Sequence, residues 1–128
     1  MFTNPDQMHP QPTQGRVCFD DDNIYVTGGT TSDNFPTSAN ALHPNYLDSL
    51  RADAFVSFIS NDGIQIISST YFGSDSYDQA YFVELDREQN VYLFGQTKAI
   101  GSTLIYQANY NVPGGGEFIS KLSKNLDA

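Results

Sequence analysis

The densest group of oxygen-bearing side chains in the sequence is the run Asp20-Asp21-Asp22-Asn23. Ca²⁺ prefers clustered carboxylate and carbonyl oxygens, so this run is a candidate calcium loop. It lacks the EF-hand pattern, because Ile24 would take the third ligand position. Asp and Asn in a tight turn also bond to the local backbone without a metal, and we favour this plain turn. For Asp75 and Asp78, a second acidic pair, we likewise favour solvated loop carboxylates over Ca²⁺ ligands.

Nucleophile–base chemistry has few candidates in this chain. The only histidines are His9 and His43, and a Ser-His-Asp arrangement would need His43. No G-x-S-x-G elbow accompanies it. The single Cys18 has no basic neighbour in sequence that would lower its pKa, and it excludes an intrachain disulfide. The run Gly114-Gly115-Gly116 precedes a predicted strand and no Lys-Ser/Thr pair, so it is not a phosphate loop. We predict no catalytic residue, and a hydrolase is the third hypothesis.

Aromatic side chains near predicted loops suggest carbohydrate binding as an alternative function. They are Tyr71, Phe72, Tyr77, Tyr106 and Tyr110. For the phenylalanines within predicted strands we expect core packing instead; these are Phe55, Phe58, Phe82 and Phe94.

Composition limits the possible partners. The chain has 128 residues, 39% of them hydrophobic, which is enough for one folded domain. Its net charge of −9 disfavours phosphate backbones and anionic membrane surfaces. The sequence has no basic, apolar secretion signal at its start and no stretch of about twenty apolar residues. We therefore expect neither nucleic-acid binding nor membrane insertion.

The order of apolar runs and turn residues predicts β-strands throughout. Seven strands are expected, at Val17–Phe19, Ile24–Thr27, Phe55–Ile59, Ile64–Phe72, Tyr81–Leu85, Val91–Phe94 and Phe118–Leu122. Asn61-Asp62-Gly63 between two such runs is a strong hairpin signal. Consecutive apolar residues such as Ile66-Ile67 predict strands that are buried on both faces.

Three blocks of the sequence recur in the same order and at nearly the same spacing. Asn23–Thr30 matches Asn90–Thr97, which aligns Tyr25 with Tyr92. Val17–Asp20 matches Val83–Asp86, and Asp53–Ser60 matches Gly116–Ser123. A repeat of about 65 residues with four strands has the size of a large propeller blade.

The segment Asn23–Thr37 resembles the signature of the SBBP-type β-propeller repeat of bacterial surface proteins. Asp53-Ala54-Phe55-Val56, Asn61-Asp62-Gly63 and Ser69–Gly73 fit the rest of that pattern. The second copy departs from it, with Lys98-Ala99-Ile100-Gly101 where Ser-x-x-Phe-Pro is expected. The resemblance covers residues 16–128 and implies blade architecture and an exported protein, with no catalytic residues.

The sequence thus predicts an all-β fold of antiparallel, four-stranded propeller-type blades, about two repeats long. Residues 1–14 are expected to be a flexible tail or linker, and 15–128 the repeat region. The first repeat spans about 16–80 and the second, incomplete one about 81–128. The expected function is a non-catalytic interaction or structural module, extracellular or at the cell surface. It would use no cofactor, contact a protein or glycan, and pack against neighbouring blades or self-associate. The alternative is a carbohydrate-binding module using loop tyrosines and acids, with or without Ca²⁺.

Overall fold

The computed structural model of the chain describes residues 16–19, 23–47, 50–99 and 116–128, and within these it contains strands and no helix. The predicted all-β class and the seven predicted strands are confirmed. The strands are β1 (Arg16–Phe19), β2 (Asn23–Thr30), β3 (Asp53–Ser60), β4 (Ile66–Phe72), β5 (Asp78–Leu85), β6 (Val91–Thr97) and β7 (Glu117–Leu122). The candidate calcium run at 20–22, the 1–14 tail, His9, Gly114, Gly115, Tyr106 and Tyr110 lie outside the described residues.

The strands form two antiparallel sheets in simple sequential order. The first sheet has the order β1-β2-β3-β4, and the second has the order β5-β6-β7. Tyr25 pairs with Phe58 across β2 and β3, where the two rings stack with centroids 4.3 Å apart. Runs of β-branched and aromatic residues favour this pleated arrangement because cross-strand pairs of such side chains pack well.

A tight turn joins β3 to β4 at the predicted Asn61-Asp62-Gly63 signal. The Gly63 amide donates to the carbonyl of Ser60 at 2.8 Å, and the Ser60 amide donates to the carbonyl of Gln65 at 2.9 Å. Gly63 has φ of 75°, a left-handed conformation that glycine adopts without a steric penalty. The local sequence therefore dictates this turn.

The hydrophobic core lies between the two sheets. From the first sheet it takes Tyr25, Ala54, Val56, Phe58 and Phe72, all at most 3% exposed. The second sheet contributes Ala80, Val83, Val91, Leu93, Phe118 and Leu122 to the same cluster. Phe72 meets Phe118 across the sheets, with ring centroids 5.2 Å apart. Burial of these side chains supplies the main stabilising term.

The long connection from β2 to β3 covers the free edge of β4. The Ser38 amide donates to the carbonyl of Ser69 at 2.9 Å, and the Tyr71 amide donates to the carbonyl of His43 at 3.1 Å. The outward-facing backbone groups of Ser69 and Tyr71 are thus paired, as a buried edge requires.

Burial differs from the sequence prediction at three apolar positions. Ile66 and Ile67 were expected to be buried on both faces, but they are 47% and 40% exposed. They lie at the start of β4, next to the exposed turn. Phe82 was expected in the core and is 47% exposed, because its face of β5 points away from the first sheet. Of the other three predicted core phenylalanines, Phe58 is buried, while Phe55 and Phe94 are half-buried.

Candidate functional site

The β2–β3 connection forms an open cleft that is the best candidate for a binding site among the described residues. The cleft has a volume of about 370 Å³ and is lined by Thr31, Ser32, Asp33, Tyr46 and Leu47. These residues come from the two ends of one connection, which leaves β2 at Thr30 and enters β3 at Asp53. The site is therefore built by folding this connection back on itself.

A buried tyrosine on β4 holds the first part of the connection. The Tyr71 hydroxyl donates to the carbonyl of Ser32 at 2.6 Å and accepts from the amide of Phe35 at 3.1 Å. The Phe35 ring packs on Phe55, with centroids 4.5 Å apart. Burial raises the pKa of the Tyr71 phenol. The uncharged Tyr71 hydroxyl thus fixes one wall of the cleft through these two hydrogen bonds.

A buried carboxylate at the start of β3 holds the second part. Asp53 is fully buried, and its Oδ2 accepts from the amide of Leu47 at 3.0 Å. The Tyr46 hydroxyl donates to the carbonyl of Arg51. The ring of Tyr46 lies 5.9 Å from that of Tyr71. The contacts of Asp53 and Tyr46 hold the second wall of the cleft, so the Asp53 carboxylate stabilises the conformation of the loop.

The cleft combines hydrogen-bonding groups with apolar surface. Asp33 is exposed, and the half-buried Ser32 hydroxyl donates to Oδ1 of Asn34 at 2.5 Å. Leu47 is 55% exposed and adds an apolar edge beside the Tyr46 ring. A carboxylate, hydroxyls and an aromatic ring can together bind a small polar ligand. Its five lining residues include no histidine, cysteine or lysine.

His43, the predicted requirement for a triad, has a structural role. Its Nδ1 accepts from the amide of Gly73 at 3.4 Å, and its ring stacks on Phe72 with centroids 5.5 Å apart. Its own amide donates to Oγ1 of Thr70 at 2.8 Å. Burial lowers the pKa of the imidazole, against a smaller raising effect from the charge of Asp78. His43 therefore anchors the connection on β4.

The two acids of the β4–β5 loop lie in different environments. Asp75 is exposed, whereas Asp78 is fully buried at the start of β5. Oδ2 of Asp78 accepts from the Ser74 amide at 2.6 Å and the Ser74 hydroxyl at 2.8 Å. Its Oδ1 accepts from the Thr97 hydroxyl at 2.5 Å. The expectation of a solvated loop carboxylate was wrong for Asp78, because these donors replace water.

Three of the five aromatic residues predicted to bind a ligand lie in the described part of the chain, and two of these three are buried. Tyr71 and Phe72 lie within β4 and are 1% and 2% exposed, so they are packed in the interior. Tyr77 is half-buried, and its hydroxyl donates to Oε1 of Gln79 at 2.9 Å. The sequence prediction missed Asp33 and Tyr46, and only the length of the connection between β2 and β3 hinted at a site there.

Within the described residues, no cluster of three or more histidine, cysteine or acidic side chains has metal-binding geometry. No helix in the same parts of the chain is long and apolar enough to cross a membrane. Comparisons of the chain with protein-family models, curated proteins and solved structures found no match.

Proposed function

We propose that this chain is a non-catalytic structural or interaction module built from one four-stranded, propeller-type unit and a three-stranded copy of it. By its resemblance to SBBP-type repeats, it would belong to an exported bacterial protein and act outside the cell or at its surface. The observation that carries the proposal is the strand register, which is the same in both sheets for the corresponding residues of the recurring blocks.

The register agrees at both strand pairs that the recurring blocks form. Tyr25 pairs with Phe58, and their counterparts Tyr92 and Lys121 pair with each other in the second sheet. Gly28 pairs with Phe55, and the counterparts Gly95 and Phe118 likewise pair. On the preceding strands, the partners of the two tyrosines are Cys18 and Glu84, which also correspond in the matching blocks. Identical pairing from recurring blocks supports a structural repeat.

The turns that follow the third strand of each unit also agree. In the second sheet the Ser123 amide donates to the carbonyl of Ala128 at 2.8 Å, and the Leu126 amide donates to the carbonyl of Ser123 at 3.0 Å. The corresponding residues of the first unit make the same two bonds in the Ser60–Gln65 turn. Leu126 has φ of 60° where the first turn has Gly63. The same turn forms with a different residue at its left-handed position.

The roles of the titratable groups support a module without catalytic activity. His43 and Asp78 have their side chains engaged by backbone and hydroxyl groups that hold loops in place. Neither lines the cleft of Asp33 and Tyr46; His43 borders a smaller cleft of about 240 Å³ in the same connection, with its Nδ1 engaged by the Gly73 amide. A general base must lie within hydrogen-bond reach of the proton that it removes from a substrate.

The test is an assay of the purified chain against ester, glycoside and peptide substrates, alongside the His43→Gln variant. We expect no turnover above that of a mock preparation. A rate that the wild-type chain shows and His43→Gln lacks would contradict the proposal.

Carbohydrate binding is the second candidate function, and the cleft with Asp33 and Tyr46 favours it. A glycan array, run with and without a chelator, tests this candidate. Binding that Asp33→Ala abolishes would support it, provided that Asp75→Ala, which removes an exposed acid elsewhere, binds normally. Signals that survive Asp33→Ala would exclude the cleft as the glycan site.

A further inference from the structure

The contact between the two sheets uses a different face of each unit. The first sheet contributes the face that carries Tyr25, Val56 and Phe58, which we name the inner face of the first sheet. Val56 and Tyr25 are fully buried there, and the Tyr25 hydroxyl donates to the carbonyl of Lys124 at 3.2 Å.

The corresponding face of the second sheet is turned away from the core. In the matching blocks, the counterparts of Thr27 and Val56 are Phe94 and Ile119. Phe82 pairs with Phe94, and Phe94 pairs with Ile119, so the three form one apolar row across the outer face of the second sheet. Ile119 is 64% exposed, whereas its counterpart Val56 is fully buried.

The outer face of the first sheet carries the counterparts of residues that the second sheet buries. In the second sheet, the core-facing residues include Val91, Leu93 and Leu122. Their counterparts in the first sheet are Ile24, Val26 and Ile59, which are half-buried on the outer face of the first sheet. Ile66 pairs with Ile59 and extends this face to β4.

We propose that the outer face of the second sheet binds the outer face of the first sheet of a second copy of this chain. The interface would place Ile119 in the position that Val56 holds between the two sheets, and it would lack a counterpart of β4, since the second sheet has three described strands. This proposal rests on the two-unit repeat proposed above and names its partner.

The physical reason is that each outer face carries counterparts of residues that the chain already uses in the contact between its two sheets. A scattered exposed apolar residue needs no explanation, but a row across three strands, matched to a buried counterpart, does. The two outer faces differ, so the contact is heterologous and leaves one free face at each end of a dimer. Such contacts continue head to tail until the rotation closes a ring.

Sedimentation velocity of the full chain at micromolar to submillimolar concentration tests the proposal, in physiological salt to screen the net charge of −9. We expect dimers and larger species for the wild type, and their loss in Ile119→Lys. The matched control is Ile64→Lys, which places the same charge at an 85% exposed isoleucine in the β3–β4 turn. Ile64→Lys should assemble like the wild type.

A mixing experiment tests the head-to-tail geometry. Ile119→Lys blocks the outer face of the second sheet, and Ile59→Lys blocks that of the first, because Ile59 is the counterpart of the core residue Leu122. Each variant alone should be monomeric, and an equimolar mixture should form a one-to-one heterodimer that grows no further, since each partner retains one intact face. Thermal melting of each variant confirms that it is folded.

Three results would overturn the proposal. They are a monomeric wild type, an equal loss of assembly in Ile64→Lys, and assembly of Ile59→Lys without a partner. The last result would mean that outer faces of second sheets pair with each other or that the contact lies elsewhere. None of these results bears on the proposed lack of catalysis, which the substrate assay tests separately.

Discussion

Replacing Gly63 by alanine isolates the cost of a left-handed backbone in the β3–β4 turn. Gly63 has φ of 75°, and a Cβ built there would meet no heavy atom within 4 Å. The added methyl group therefore has no steric conflict with neighbouring residues. What remains is the intrinsic penalty for a side chain in this conformation, about 1–2 kcal/mol.

The Gly116→Ala variant is the matched control. A Cβ at Gly116 also meets nothing within 4 Å, and among the described glycines only Gly63 has positive φ. Both substitutions reduce the freedom of the unfolded chain, an effect of about 0.4–1 kcal/mol that favours the folded state. This term cancels in the comparison, so Gly63→Ala should be less stable than Gly116→Ala by about 1–2 kcal/mol.

Urea unfolding of the two variants, analysed by linear extrapolation, measures this difference. The slopes with denaturant should agree, because the surface exposed on unfolding is nearly unchanged. Equal stabilities for Gly63→Ala and Gly116→Ala would refute the assignment of backbone strain to this turn.

Four further outcomes are expected. Gln89→Gly should stabilise the chain by up to about 1 kcal/mol in the same urea assay, since Gln89 has φ of 68°. Gly95→Ala should destabilise it by about 3 kcal/mol or more, because the new Cβ would overlap the carbonyl oxygen of Gln79. Asp78→Ala should lower the free energy of unfolding by about 3 kcal/mol, since it leaves three buried donors without their acceptor; a loss below about 1 kcal/mol would contradict this. Burial lowers the pKa of His43 in the folded state, so below pH about 6.5 the unfolded state takes up a proton on His43 before the folded state does. The free energy of unfolding should therefore fall as the pH drops below that value. The His43→Gln variant should show a shallower decline.

The sequence alone determined the strands and the turns between them. Local chemistry is sufficient for this, because an Asp-Gly pair favours one turn geometry and β-branched or aromatic runs favour extended backbone. β4 begins at Ile66 and not at Ile64, where the pattern predicted its start, since the turn bond from Ser60 to Gln65 comes first.

The sequence could not identify the candidate binding cleft. Tyr71 and Phe72 lie directly before a glycine-containing loop and looked accessible, but both are buried in β4. Asp33 and Tyr46 lie in different halves of a connection without periodic pattern, and they line one cleft only because Tyr71 and Asp53 hold the two halves of that connection. Contacts between distant residues of this kind leave no local signature.

Tertiary structure also decided which face of each strand is buried. Alternation in β7 separates Phe118 from Ile119, but both are large and apolar, so the pattern does not say which one packs inward. Phe118 is buried against Phe72 and Ile119 is exposed because the first sheet lies on one side of the second only. Strand positions thus follow from short-range preferences, whereas burial depends on where the other sheet lies.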